Sequence, residues 1–179
     1  MPAERLATLV RGNPALAAVL DGFAAIALPD CWLVAGCVAQ TVWNHAHGLP
    51  PGHGIADIDL VYHDPDDLSA EAEAAHEARL RARFGPMLDV KNQARVHLWY
   101  ETRFGRAIVQ HASSAAAIAT YPSTATAIGL RQGGGDLAVC APFGLDDLFS
   151  LIVRANRRLA SEAVFAAKAT RWARLWPRE

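Results

Sequence analysis

IADIDLVYHD, residues 55–64, decides how this chain reads. Ile58, Leu60, Val61 and Tyr62 mark it as a strand, yet Asp57 and Asp59 interrupt it two positions apart. Residues at that spacing share one face of a strand. Asp57 and Asp59 are therefore expected side by side, with Ile58 and Leu60 packing on the other face. Two ionised carboxylates so placed repel each other, and burying them is costly unless a cation offsets the charge. Carboxylate oxygens suit Mg²⁺ or Mn²⁺, and a pair of them can bridge two ions. An isolated D-x-D has a competing reading, an exposed strand edge, so its neighbours matter.

Upstream, WLVAG (32–36) runs into CVAQTVWN (37–44). This reads as a short strand ending at Gly36, then a helix opened by Cys37. Glycine lets a ligand approach the backbone closely, and a helix N-terminus offers free N–H groups and a positive dipole end. Such a turn suits phosphates. Downstream, Leu88-Asp89-Val90 puts a third carboxylate in a strand, and KNQARVHLWY (91–100) follows it. Lys91 and Arg95 are candidate triphosphate contacts. Asn92 or Gln93 could read a base or sugar.

The remaining chain is expected to alternate helices with strands around one sheet, a mixed α+β class. Helices are predicted over 4–11, from Pro14 through Leu28 with Asn13 as cap, over 37–48, and over 69–85 with Ser69 as cap. Strands are predicted over 31–36, 55–62, 86–92 and 95–100. SSAAAIATY and PSTATAIGLR read as short helices, Gly133–Gly135 as a turn, and DLAVCAPFG as a short strand and loop. GLDDLFSLIV opens a helix, and a last one runs from about Arg158 to Trp176. One unit spanning 1–179 is expected, with a core over about 30–130 and a helical C-terminal extension over about 143–179.

Apolar residues make up 52% of the 179-residue chain, enough for a sizeable core. No run is long enough to span a membrane. No secretory segment is read at the N-terminus, and Cys31, Cys37 and Cys140 form no CxxC pattern. Reduced thiols and a cytoplasmic location are expected. Asp57 to Glu77 holds eight acids and no Lys or Arg, which gives no strong nucleic-acid signal. The basic C-terminal stretch reads as a solvated helix face, with contact to a polyanion as the alternative. His45, His47 and His53 match no common zinc spacing. Asp146 and Asp147 suit a helix N-terminus, and the five tryptophans read as packing residues.

Val34-Ala35-Gly36-Cys37, Asp57-Ile58-Asp59 and Asp89 together resemble the pattern of the DNA polymerase beta nucleotidyltransferase superfamily: apolar-Gly-(Gly or Ser), then D-x-[DE], then a third acid on a later strand. WLVAGCVAQTVWN, DIDLVYHD, DVKNQARVHLWY and PFGLDDLF look closer still to its nucleotidyltransferase-like NTP_transf_6 branch (DUF925), over most of residues 31–150. Cys37 replaces the usual Gly or Ser, and the Gly36–Asp57 interval is longer than usual, the excess falling in the loop 48–54. The resemblance implies the nucleotidyltransferase fold and transfer of an NMP from an NTP to a hydroxyl acceptor, with release of pyrophosphate. Asp57 and Asp59 would hold Mg²⁺ or Mn²⁺, and Asp89 would complete the set. Gly36 and the Cys37 amide would position phosphates. The acceptor, whether small molecule, RNA or protein, is left open. The alternatives are a nucleotide-binding protein of the same fold without turnover, and a nucleotide phosphohydrolase.

Overall fold

The computed structural model describes residues 1–177. Five strands form one sheet: β1 (Trp32–Val34), β2 (Ile58–Tyr62), β3 (Leu88–Asn92), β4 (Gly129–Gln132) and β5 (Leu137–Cys140), in the order β3-β2-β1-β4-β5. β2 and β3 are parallel, and the other neighbours are antiparallel. Parallel pairing demands a crossover, and α4 (Ala70–Phe84) supplies it. Ser69 caps this helix, its Oγ accepting from the Ala72 N–H at 3.2 Å.

One sheet face is apolar throughout. Leu33, Leu60, Leu88, Val90 and Leu130 are fully buried there. They pack with α1 (Pro2–Arg11), α2 (Pro14–Asp21) and α3 (Gly36–Ala46). On the opposite face Val34 and Val61 pack with Ile118 and Ala127, and beside this smaller cluster lie Asp59, Asp89 and Lys91. β3 is an edge strand, and α4 covers that edge with acceptors. Glu77 Oε2 accepts from the Val90 N–H at 3.0 Å, and Glu73 Oε2 accepts from the Asn92 N–H at 2.8 Å. Pairing with another chain is blocked there.

Several expectations need correction. RVHLWY is no strand: α5 runs Val96–Phe104. The reason is Asn92, fully buried, whose Oδ1 accepts from the Ala94 and Asp64 N–H groups while its Nδ2 donates to the Asp64 and Asp67 carbonyls. It ends β3, turns the chain through a 3₁₀ turn at Gln93–Arg95 and holds the 64–67 loop. Gly105, at φ +72°, stops α5. The helix expected from Pro14 to Leu28 ends at Asp21, because Gly22 breaks it where the Phe84 ring packs close, and only a 3₁₀ turn follows at Phe23–Ala25. SSAAAIATY does form a helix, α6 (Ser114–Ile118), but PSTATAIGLR gives an irregular stretch and then β4. Ser123 and Thr126 bond each other at 2.7 Å there and take the backbone out of a helix. The helix at GLDDLFSLIV is only α7 (Asp146–Phe149). The last helix, α8 (Glu162–Leu175), starts later than expected, at its cap Ser161.

α8 folds back onto the sheet half of the molecule through tryptophans. Trp43, Trp172 and Trp176 are buried, and the Trp43 ring meets the other two edge-on at 5.4 and 5.2 Å. Trp176 Nε1 donates to Asn44 Oδ1 at 2.7 Å, and Asn44 Nδ2 donates to the Pro51 and His53 carbonyls. Gly54, at φ +70°, has no room for a side chain, since a Cβ would lie 2.8 Å from the Trp176 ring. The long 48–54 loop is thereby clamped between α3 and α8. Among the described residues no helix is long and apolar enough to cross a membrane.

Candidate active site

A cleft of about 780 Å³ opens on the sheet face that carries the acids. Its floor follows from strand register. Asp59 pairs directly with Asp89 across β2 and β3, Val61 pairs with Lys91, and Val34 at the end of β1 pairs with Asp59. Asp59 and Asp89 therefore present adjacent carboxylates to one face, and the β1–α3 turn begins beside them. Asp57 also lines the cleft but lies outside β2. The ladder starts one residue later, where the Ile58 N–H donates to the Met87 carbonyl at 2.9 Å, so Asp57 is exposed at the lip and not on the strand face.

The turn from β1 into α3 is strained at Ala35, with φ +64° and ψ −134°. A non-glycine residue there costs on the order of 1–3 kcal/mol. Gly36, expected to end the strand, is the first residue of α3, one position earlier than the helix was expected to open. The Ala35 carbonyl accepts from the Val38 and Ala39 N–H groups, which leaves those of Gly36 and Cys37 in the open first turn. Gln40 lines the cleft next to them, buried and without a side-chain hydrogen bond among the described residues. The Cys37 thiol points inward, buried, with Sγ 3.4 Å from the Val34 carbonyl. Burial foremost, then the charge of Asp59, pushes its pKa up to about 12, so it is no nucleophile at neutral pH.

Asp59 is partly buried, and its pKa is pushed up to about 7. Desolvation is the largest cause, followed by the charges of Asp89 and Asp57, with Lys168 and Lys91 opposing. Lys91 lies on Asp89, Nζ to Oδ1 3.2 Å, and 4.0 Å from Glu77 Oε2. Arg95 also lines the cleft, but its guanidinium is held by Glu73 Oε1 at 3.3 Å and the Leu68 carbonyl at 3.1 Å. Among the described residues no three His, Cys, Asp or Glu side chains stand close enough to enclose an ion. The carboxylates form an open set. Their donor chemistry fits a hard divalent cation, and the mutual repulsion that raises Asp59 is the charge such a cation would offset.

A family model described as "Nucleotidyltransferase" (NTP_transf_6) matches residues 21–178. The chain belongs to this nucleotidyltransferase family. A solved NMR structure described as revealing a CCA-adding enzyme head domain is similar to it at 28% identity and a TM-score of 0.79, covering 97% of this chain and 92% of the other. Both chains thus share the nucleotidyltransferase fold, and the family supports nucleotidyl transfer as this enzyme's role. No curated protein matches the chain significantly.

The nucleotidyltransferase cleft also contains residues that the sequence reading passed over. Lys168 and Arg171 reach it from α8, with Val164 and Trp172 on the same stripe. The spacing 164, 168, 171, 172 was the available signal: one helix face mixing two cations with core residues. The basic stretch is therefore more than a solvated face. Arg171 Nη2 also donates to the Gly54 carbonyl at 2.8 Å. Tyr121, beside Asp59, is kept neutral by burial. Trp99, expected as packing, lines the cleft with Tyr100 and Arg103 from α5. Of the histidines near α3, two have structural contacts: His47 Nδ1 bonds the Trp43 carbonyl and His53 Nε2 the Leu175 carbonyl. Asp147 at the start of α7 pairs with Arg154 and accepts from Thr124.

Proposed function

We propose that this nucleotidyltransferase moves an NMP from an NTP to a hydroxyl acceptor in a divalent-metal-dependent reaction. One observation carries the reading: Asp59 and Asp89 are paired in register on the cleft floor, directly beside the open first turn of α3. The Gly36 and Cys37 amides, with Gln40, bind the β and γ phosphates. Lys168 and Lys91 add positive charge where the transferred phosphate gathers negative charge. Asp57, Asp59 and Asp89 would hold Mg²⁺ or Mn²⁺, which supplies charge neutralisation of the phosphates and a more acidic acceptor hydroxyl. The acceptor oxygen forms a bond to the α-phosphorus as the bond to the bridging oxygen of pyrophosphate breaks. The acceptor proton passes to Asp89, whose carboxylate Lys91 orients. Arg95 holds the site's shape through Glu73 more than it touches phosphate.

The test is incubation with α-³²P-labelled NTPs, Mg²⁺ and cell-derived RNA, protein and small-molecule fractions. Label transferred to an acceptor, lost on chelation with EDTA, is the expected result. Free labelled NMP in place of a labelled acceptor would make water the acceptor and the protein a phosphohydrolase. The Lys91–Asp89 ion pair favours a second reading, nucleotide binding without turnover. Tight NTP binding with intact NTP recovered would establish it.

A further inference from the structure

The far wall of the cleft has no role in the phosphate chemistry above. It is α5, whose residues Val96, Trp99, Tyr100 and Arg103 face the cleft at helical spacing. The rings form a continuous surface. Trp99 and Tyr100 have centroids 6.2 Å apart, and Tyr100 and Phe104 4.6 Å. Arg103 lies over this surface, its guanidinium carbon 6.0 Å from the Trp99 ring and 5.2 Å from that of Phe104, and it has no ion-pair partner among the described residues. A second, independent feature stands beside it. Gln93, the first residue after β3, is only 6% exposed, lines the same cleft and makes no side-chain hydrogen bond among the described residues. The rest of the side chain is packed away, and the amide stays open to the cleft, where the edge of a ligand can meet it.

We infer that this wall is a nucleobase subsite, with Trp99 and Tyr100 stacking the base of the incoming NTP and the Gln93 amide hydrogen-bonding its edge. The inference rests on the proposed nucleotide site. α8 fixes the order of the two ends. Lys168 acts on Asp59, whereas the segment before α8 meets the α5 end, where Arg106 Nη1 donates to the Leu159 carbonyl at 3.2 Å. From Glu162 to Lys168 the helix rises on the order of 9 Å, room for a ribose between α-phosphate and base. Aromatic faces and arginine planes are the surfaces that stack bases, and a planar amide can pair with a base edge.

The test compares ATP with inorganic tripolyphosphate, each titrated with Mg²⁺ into the full chain. Wild type should bind ATP at least about 5- to 100-fold more tightly, the range that one stacked base provides. Trp99→Leu should cut that preference by at least about 5-fold while leaving tripolyphosphate affinity unchanged, and Trp99→Phe should keep most of it. Photolabelling of wild type with 8-azido-ATP needs no variant and should mark residues 93–104. Equal wild-type affinity for both ligands, or label confined to other segments, would overturn the base subsite while leaving the phosphate site standing. If wild type binds neither ligand, the nucleotidyl-transfer reading falls and this inference with it.

Discussion

The sheet floor and the helical wall of the cleft place their charges by different means. On the floor, register does the work: once β2 and β3 pair, Asp59 and Asp89 must be neighbours on one face. On the wall, Lys168 and Arg171 come from a separate helix much further along the chain. They are placed only because Trp172 and Trp176 dock on Trp43. Floor geometry is local and resists perturbation. Wall geometry is tertiary and depends on one aromatic anchor.

Breaking the floor should have the largest effect. Asp59→Asn should lower transfer activity by at least about 10³-fold, since a shared metal ligand beside the reacting phosphate is lost, and steady-state kinetics with labelled NTP would show it. Breaking the wall at its anchor should cost stability. Trp176→Ala removes a fully buried ring and leaves Asn44 Oδ1 unpaired. A loss of about 3–5 kcal/mol in urea denaturation is expected. Removing one wall cation is milder: Lys168→Ala should weaken NTP binding by about 5- to 10-fold and raise the Asp59 pKa further, because a counter-charge is gone. Smallest is Ala35→Gly. Relief of the positive φ should raise stability by up to about 1 kcal/mol, part of the gain being offset by the freer unfolded chain.

The same contrast explains what could be read from sequence. The D-x-D strand, the strand-Gly-helix turn and Asp89 announce themselves through period-two patterning and short spacing. Boundaries slip where backbone pairing decides them: the strand expected from residue 55 begins at Ile58, which leaves Asp57 off it, and the helix expected to open at Cys37 opens at Gly36. Val96, Leu98 and Tyr100 alternate as in a strand where α5 forms, and the buried cap made by Asn92 outweighs that alternation. Its signals were present, Asn92 before the helix and Gly105 after it, but they count only once the 64–67 loop gives Asn92 its partners. The spacing 164, 168, 171, 172 puts Lys168 and Arg171 on one face of the helix, but a cation beside an apolar stripe reads equally well as solvated, and only the docking of the helix makes that face line the cleft. Arg95 reads as free for phosphate in the sequence because the Glu73 that holds it lies 22 residues away on another element.

The claim that the floor is a cation site has a direct measurement: thermal melts of wild type and Asp59→Asn from pH 5 to 8, with and without Mg²⁺. In the metal-free fold Asp59 keeps its proton up to about pH 7, whereas the unfolded chain releases it near the ordinary aspartate value of 3.8. The folded state therefore binds more protons in that window, and wild-type stability should fall as pH rises through it. Mg²⁺ binding the folded site alone should reverse the fall, by about 2–3 kcal/mol at a hundred times its dissociation constant. Asp59→Asn should be at least as stable as wild type at pH 8 without metal, flatter with pH, and little changed by Mg²⁺. A variant that melts lower than wild type by the same amount at every pH, with or without Mg²⁺, would show that Asp59 serves the fold and not a cation.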